Sequence, residues 1–274
     1  MRKLVRSQTA GRLKKLDREV RHAARKPKSA DAIHDLRVAI RRLRQELKTF
    51  EAWFETEDVK AVRRSLRKLM DRCGAVRNCD VAIEVLRAAG SRNRKLLAGL
   101  EKERGRTSEE LAHKLESWRR EDRVRSWRGH LRVKPSSSKE SVSQTARLLL
   151  PAMLEDLFRA GRAASRPDAS HEKMHRFRLK VKRVRYTLEL FEGVYGSSTD
   201  KVLESLKALQ DKLGAINDCA TTLEMIRRDR LAAAAVRKLV GRREGEFRTY
   251  WKTHFRTQNK TRWKAVLGAA DGKT

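Results

Sequence analysis

The sequence predicts an all-α protein made of two related helical bundles. Three observations carry that prediction. Apolar residues recur at spacings of three and four along most of the 274 residues, strand-like alternation is scarce, and there are only four prolines. The segment His34 to Phe50, HDLRVAIRRLRQELKTF, is written again as His175 to Phe191, HRFRLKVKRVRYTLELF. Further along, Leu66, Leu69, Asp71, Gly74 and Asn78 are answered by Leu206, Leu209, Asp211, Gly214 and Asp218. The first pair of segments is offset by 141 residues (34 to 175) and the second by 140 (74 to 214), so one loop differs by a single residue. That is the mark of an internal duplication. Its period is too long for a solenoid, and two bundles related by a pseudo-twofold axis fit it better.

Each element has a local reason. A first helix is expected over about Thr9 to Ala24, with Leu13, Leu16 and Val20 on one side, broken by Lys26-Pro27-Lys28-Ser29. Its basic, amphipathic start also fits a membrane-surface helix, but a bundle helix accounts better for the apolar spacing. Ser29 or Asp31 is placed to cap the repeated helix, which ends near Trp53. Glu51, Glu55, Glu57 and Asp58 then form an acidic patch, read as a helix end and solvated loop rather than a divalent-metal site. A helix over Val59 to Arg72 is expected to close at Gly74 as its C′ residue, with Asn78 capping another over Val81 to Ala89. Asn93 to Trp118 continues helical, with Gly105 and Thr107 as places for a bend or split. Glu121 to Lys139 reads as a connector, with Pro135 and three serines. The second repeat opens with a more apolar helix through Leu148 to Phe158, and Asp168 or Ser170 caps its repeated helix. Leu223 to Val240 and Phe247 to Val266 complete it, and Gly268 onward is expected to fray. The expected organisation is therefore a first repeat over 5–120, a connector over 121–139, a second repeat over 140–260 and a tail over 261–274.

The repeated helix has two faces. At 100° per residue, His34, Arg37, Arg41, Arg44 and Lys48 fall within an arc of about 80°. Leu36, Ile40, Leu43, Leu47 and Phe50 form the apolar face. In the second copy His175, Arg178, Lys182 and Arg185 take the basic arc, with Glu189 replacing Lys48. Each rail spans roughly 20 Å at 1.5 Å per residue. Like charges three and four apart cost roughly a few tenths of a kcal/mol per pair. A sequence that repeats that cost in register calls for an anion. Arg42 and Arg183 lie about 80° to the other side of each His. They either bind at the edge of the rail or pair with acids such as Asp71 and Asp211.

Composition points the same way. Lys plus Arg is 67 against 35 for Asp plus Glu, a net charge of +32, which implies a polyanionic partner. Three cysteines, Cys73, Cys79 and Cys219, and no secretory segment lead to an expectation of a reduced, cytoplasmic setting. No apolar run approaches the roughly 20 residues of a transmembrane helix.

The two His-x-x-Arg-x-x-x-[Arg/Lys]-Arg-x-Arg helices, each ending near Phe, and the two Gly positions before Asn78 and Asp218 resemble the CHAD family, the histidine α-helical domain. The resemblance covers roughly residues 5 to 260. It implies a pseudo-symmetric helical fold with a basic central groove or pore, and binding of inorganic polyphosphate, often on polyphosphate granules. The family's His and basic positions correspond here to His34, Arg37, Arg41, Arg42, Arg44, His175, Arg178, Lys182, Arg183 and Arg185, with Lys48 extending the first rail. One departure is Asp80, matched by Ala220, which implies weaker binding in the second repeat or a missing structural hydrogen bond.

Enzyme signatures are absent: no Gly-rich P-loop, no Gly-x-Ser-x-Gly, no His-Glu-x-x-His, and no carboxylates interleaved with the rails except Glu189. The expectation is a non-enzymatic binder needing no cofactor or metal; no Cys or His stands at zinc-ligand spacing around either His. Each His is either a ligand contact or a histidine bonded within the fold. Asn78, Asp80 and Asp218 read as caps rather than catalytic groups. Two alternatives stand beside polyphosphate binding. One is a nucleic-acid backbone binder, with Trp127 and the C-terminal aromatics for stacking, for which nucleic acid would be more than a weaker competitor. The other is an accessory domain of a polyphosphate-processing enzyme.

Overall fold

The computed structural model describes residues 1–134 and 141–268, and among these it is all-α. The chain divides into two compact units, Met1–Ser138 and Lys139–Thr274.

The first unit begins with α1 (Arg2–Arg25), about two turns earlier than the spacing predicts, because Val5 extends the buried stripe of Leu13, Leu16 and Val20. That stripe is covered by protein, so α1 is a bundle helix and not a membrane-surface one. The next helix, α2 (Ala30–Thr49), starts at Ser29, whose hydroxyl accepts from the Ala32 N–H at 3.2 Å. Ser29 therefore caps it in place of Asp31. Its apolar face buries Leu36, Ile40, Leu43 and Leu47. Glu46 is fully buried there, where the repeat pattern puts Thr187. The Thr9 hydroxyl donates to it at 2.7 Å and Arg12 lies 3.4 Å away, yet burial pushes its carboxyl up to about 7.

The largest departure is α3 (Thr56–Ala88), a single helix of 33 residues. Gly74 does not close a helix and Asn78 does not cap one; both lie in its interior. Cys73, Val76, Cys79 and Val81 keep the buried stripe going through the predicted break, and this packing outweighs roughly 1 kcal/mol of unfavourable glycine propensity. The C′ glycine is Gly90, at φ +75°, where the Ser91 N–H reaches back to the Leu86 carbonyl at 2.9 Å.

Likewise α4 (Arg94–Arg120) runs unbroken through Gly105 and Thr107, whose hydroxyl bonds the Glu103 carbonyl at 3.0 Å. Within the expected connector, residues 123–130 form α5 (Arg123–His130), packed on α1 and α4, with Trp127 edge-on to Trp118 at 5.4 Å. The remainder of the connector from Pro135, and the start of the second repeat at Glu140, lie outside the described residues.

The second unit opens with α6 (Val142–Ala164), capped by a reciprocal Ser141–Gln144 box. Ser170, not Asp168, caps α7 (His171–Leu190). A short α8 (Glu192–Tyr195) and a 3-10 turn lead to α9 (Asp200–Met225), which is again continuous through Gly214 and Asp218. Two helices finish the unit, α10 (Arg230–His254) and α11 (Thr257–Gly268). Phe158, Phe177, Trp251, Phe255 and Trp263 form its aromatic core, with ring centroids 4.6–5.9 Å apart. A Cβ on Gly161 would fall 1.9 Å from the Trp251 ring, so only glycine lets α6 and α10 approach there. Trp263 and Leu267 are buried, so α11 belongs to the unit; the expected frayed end past Gly268 lies outside the described residues.

Candidate functional site

In the first unit the α2 rail lies along α3. Arg37 reaches over Gly74, with its Nη1 3.4 Å from where a Cβ would stand, so the bare patch of α3 is a seat for this guanidinium. Arg44 is half-buried and its pKa is lowered, first by loss of water and then by the charges of Arg67 and Arg63 on α3, with Asp71 opposing. His34 keeps an exposed edge, but its pKa is lowered by partial desolvation and by Arg41, Arg77 and Arg37, against a raising effect from Asp35. The Nε of Arg41 is buried and has no hydrogen-bond partner among the described residues. Arg42 is half-buried and Lys48 exposed.

Thus α3 contributes Arg63, Arg67 and Arg77 to the same face, three cations that reading one helix at a time left unassigned. The signal was present: with Gly74 they fall within about 80° of one another on α3. Two of them have partial counter-charges, Arg63 with Glu51 at 3.3 Å and Arg77 with Glu84 at 3.1 Å.

The second unit sets α7 against α9 in a similar way but with fewer cations. Arg178 Nε stands 4.0 Å from a Cβ built on Gly214. His175 Nδ1–H donates to Asn217 Oδ1 at 2.7 Å, which fixes that ring in the fold and turns Nε2 away from the amide. Arg185 is neutralised: Glu189 accepts from it at 2.8 Å, Gln210 at 3.1 Å, and its guanidinium lies over the Tyr186 ring at 4.5 Å. Lys182 is half-buried and Arg183 exposed. The α9 positions corresponding to Arg63, Arg67 and Arg77 hold Leu203, Lys207 and Asn217.

Asp80 is a structural residue. It is buried and accepts from Arg104 Nε, while Arg104 Nη2 also donates to the Lys28 carbonyl at 2.7 Å, tying α3, α4 and the α1–α2 turn. In the second unit Arg243 reaches the Ala215 carbonyl at 2.9 Å and Cys219 Sγ at 3.0 Å, with no carboxylate needed. Most of the acidic patch after α2 is taken up by cations: Glu51 by Arg63, Glu55 by Lys134 at 3.3 Å and Glu57 by Lys60 at 2.8 Å, while Asp58 lies 3.6 Å from the His130 ring. No cluster of metal-ligating side chains occurs among the described residues. All three cysteines are buried thiols, and burial holds Cys73 at about 12. No helix among the described residues is long and apolar enough to cross a membrane.

The CHAD domain family model matches residues 7–227, most of the chain. The chain belongs to the CHAD domain family. Two solved structures share the fold. The CHAD domain from the plant Ricinus communis is 24% identical, with a TM-score of 0.64 over 100% of this chain and 93% of that one. PptA from Streptomyces chartreusis is 17% identical, with a TM-score of 0.64 over 96% of this chain and 99% of its own. No protein of curated function matches. In this CHAD domain the apolar stripes build the fold, and the cations described above stand on α2–α3 and α7–α9.

Proposed function

We propose that the protein is a non-enzymatic receptor for linear inorganic polyphosphate, held on the cationic faces of α2–α3 and α7–α9. The observation that carries the reading is the crowding of Arg37, Arg41, Arg44, Arg63, Arg67 and Arg77 on one face of the first unit. Burial, and after it the charges of Arg67 and Arg63, lower the Arg44 pKa, and a buried Arg41 N–H has no acceptor among the described residues. A chain of phosphates supplies both missing things, negative charge at regular spacing and acceptors for guanidinium forks. The family is known for polyphosphate binding, which agrees. His34, Arg42, Lys48, His175, Arg178, Lys182 and Arg183 extend the two faces, and Arg185 joins only if Glu189 lets go. The protein acts in the cytoplasm, and association with polyphosphate granules follows from this binding.

Nucleic acid would compete through its phosphates alone. Of the aromatics that could stack bases, Trp127 is 7% exposed and Trp251, Phe255 and Trp263 are each 6% exposed, and the half-buried Tyr250 is already stacked on His254 at 4.1 Å. The test loads the protein with single-stranded DNA at fixed salt and adds long polyphosphate at equal phosphate concentration. Polyphosphate should displace the DNA, and no orthophosphate should be released when Mg²⁺ is added. DNA that holds its place, or turnover of the polymer, would overturn the reading.

A further inference from the structure

A second cationic site lies in the first unit, away from the α2 rail. It is a cleft of about 440 Å³ between the start of α1 and the end of α5, within the size range of small-molecule sites. Four arginines line it: Arg2 and Arg6, one turn apart on α1, and Arg128 and Arg132 from α5 and just beyond it. No ion pair or hydrogen bond occupies these four guanidinium groups among the described residues, in a protein where many surface arginines are paired. The floor is of the opposite character, formed by the buried Leu13 and Leu131 with Val133. Thr9, also on the floor, spends its hydroxyl hydrogen on Glu46 behind it. Glu46 projects from α2 about 160° round from the middle of the rail, so the cleft and the rail occupy different sides of that helix.

A ring of cations over an apolar floor does not suit a bare phosphate chain, which has nothing to offer Leu13 and Leu131. Nor does it suit a bilayer, because the apolar atoms lie at the bottom of a concavity and not on a projecting edge. The combination fits a ligand with a flat apolar body and several negative charges at one end. We infer that the α1–α5 cleft binds a nucleoside triphosphate, with the base on the Leu13–Leu131–Val133 floor and the phosphates among Arg2, Arg6, Arg128 and Arg132. Guanidinium planes also stack on aromatic rings, so the same arginines serve both ends of such a ligand.

Titration calorimetry of the full chain with ATP, adenosine and tripolyphosphate tests this. ATP should bind with one site per chain, and adenosine and tripolyphosphate should each bind at least tenfold more weakly. The Arg6→Glu/Arg132→Glu variant alters two exposed side chains that hold nothing in the fold. It should lose at least tenfold in ATP affinity while its binding of long polyphosphate changes less than twofold. The inference is overturned if ATP does not bind, if tripolyphosphate binds as tightly as ATP, or if ATP affinity follows Arg37→Glu/Arg41→Glu instead. The last two results would reduce the cleft to one more patch of positive surface, and none of the three bears on the polyphosphate reading of the rails.

Discussion

His34 is the side chain on the rail through which polyphosphate binding, as proposed, would depend on pH. Its pKa is lowered by partial desolvation and by Arg41, Arg77 and Arg37. In the free protein it is therefore neutral at pH 7, and the folded state holds fewer protons than the unfolded one where an ordinary histidine titrates, near about 6.5. Stability drawn from this group falls as pH drops through that range. A bound phosphate chain reverses the balance, because it replaces a surplus of positive charge with a negative partner. Binding should then take up a proton, and polyphosphate affinity should rise as pH falls from about 7 to about 5.5. Calorimetry in two buffers of different ionisation heat at pH 6 measures that uptake, and His34→Gln should abolish most of it. An unchanged proton count in the variant would remove His34 from the binding face. The position of His34 on the rail was legible in the sequence. Its crowding by Arg77 was not, because Arg77 belongs to another helix.

At the scale of the element, the long α3 is decided by its buried stripe and not by its punctuation. Gly74 reads as a stop when taken with its immediate neighbours. In the folded unit it is a gap in the helix surface over which Arg37 lies, 3.4 Å from where a Cβ would be. That distance is ordinary van der Waals contact for one carbon and leaves no room for more. Gly74→Ala should therefore stabilise the protein by up to about 1 kcal/mol in urea unfolding and change polyphosphate affinity less than twofold. Gly74→Leu should keep helicity but lift the Arg37 guanidinium and weaken binding several-fold. Equal affinities for the two variants would show that the bare surface of α3 does not position Arg37. The same reasoning explains why α5 escaped a reading based on composition. Its eight residues have little periodicity of their own and are held by Val124 and Trp127 packing into the unit.

For the whole molecule, the two rails are alike in register but unlike in net charge. The first unit has Lys48 where the second has Glu189, and only in the second is the central arginine, Arg185, tied to a carboxylate. Its facing helix adds Arg63, Arg67 and Arg77, against Leu203, Lys207 and Asn217. The first unit should therefore provide most of the affinity and most of its salt dependence, since each phosphate neutralised releases counterions. Arg37→Glu/Arg41→Glu should reduce both the affinity for long polyphosphate and the slope of log affinity against log salt by more than Arg178→Glu/Lys182→Glu does. Equal losses from the two pairs would overturn this asymmetry. The comparison is a filter-binding series from low to moderate salt, with circular dichroism to verify that each variant keeps its helices.

The sequence by itself determined the helical class, the apolar faces of α1, α2 and α7, and the arc on which His34, Arg37, Arg41, Arg44 and their counterparts stand. Those are properties of one helix, and a residue number is enough to compute an angle on it. Only the tertiary structure decided that α3 passes unbroken beneath the rail, that Asp80 belongs to Arg104, and that Arg185 is spent on Glu189 and Gln210 while the Arg41 Nε has no such partner among the described residues. Electrostatic and packing energies depend on distance through space, and the wheel of one helix does not contain the position of the next.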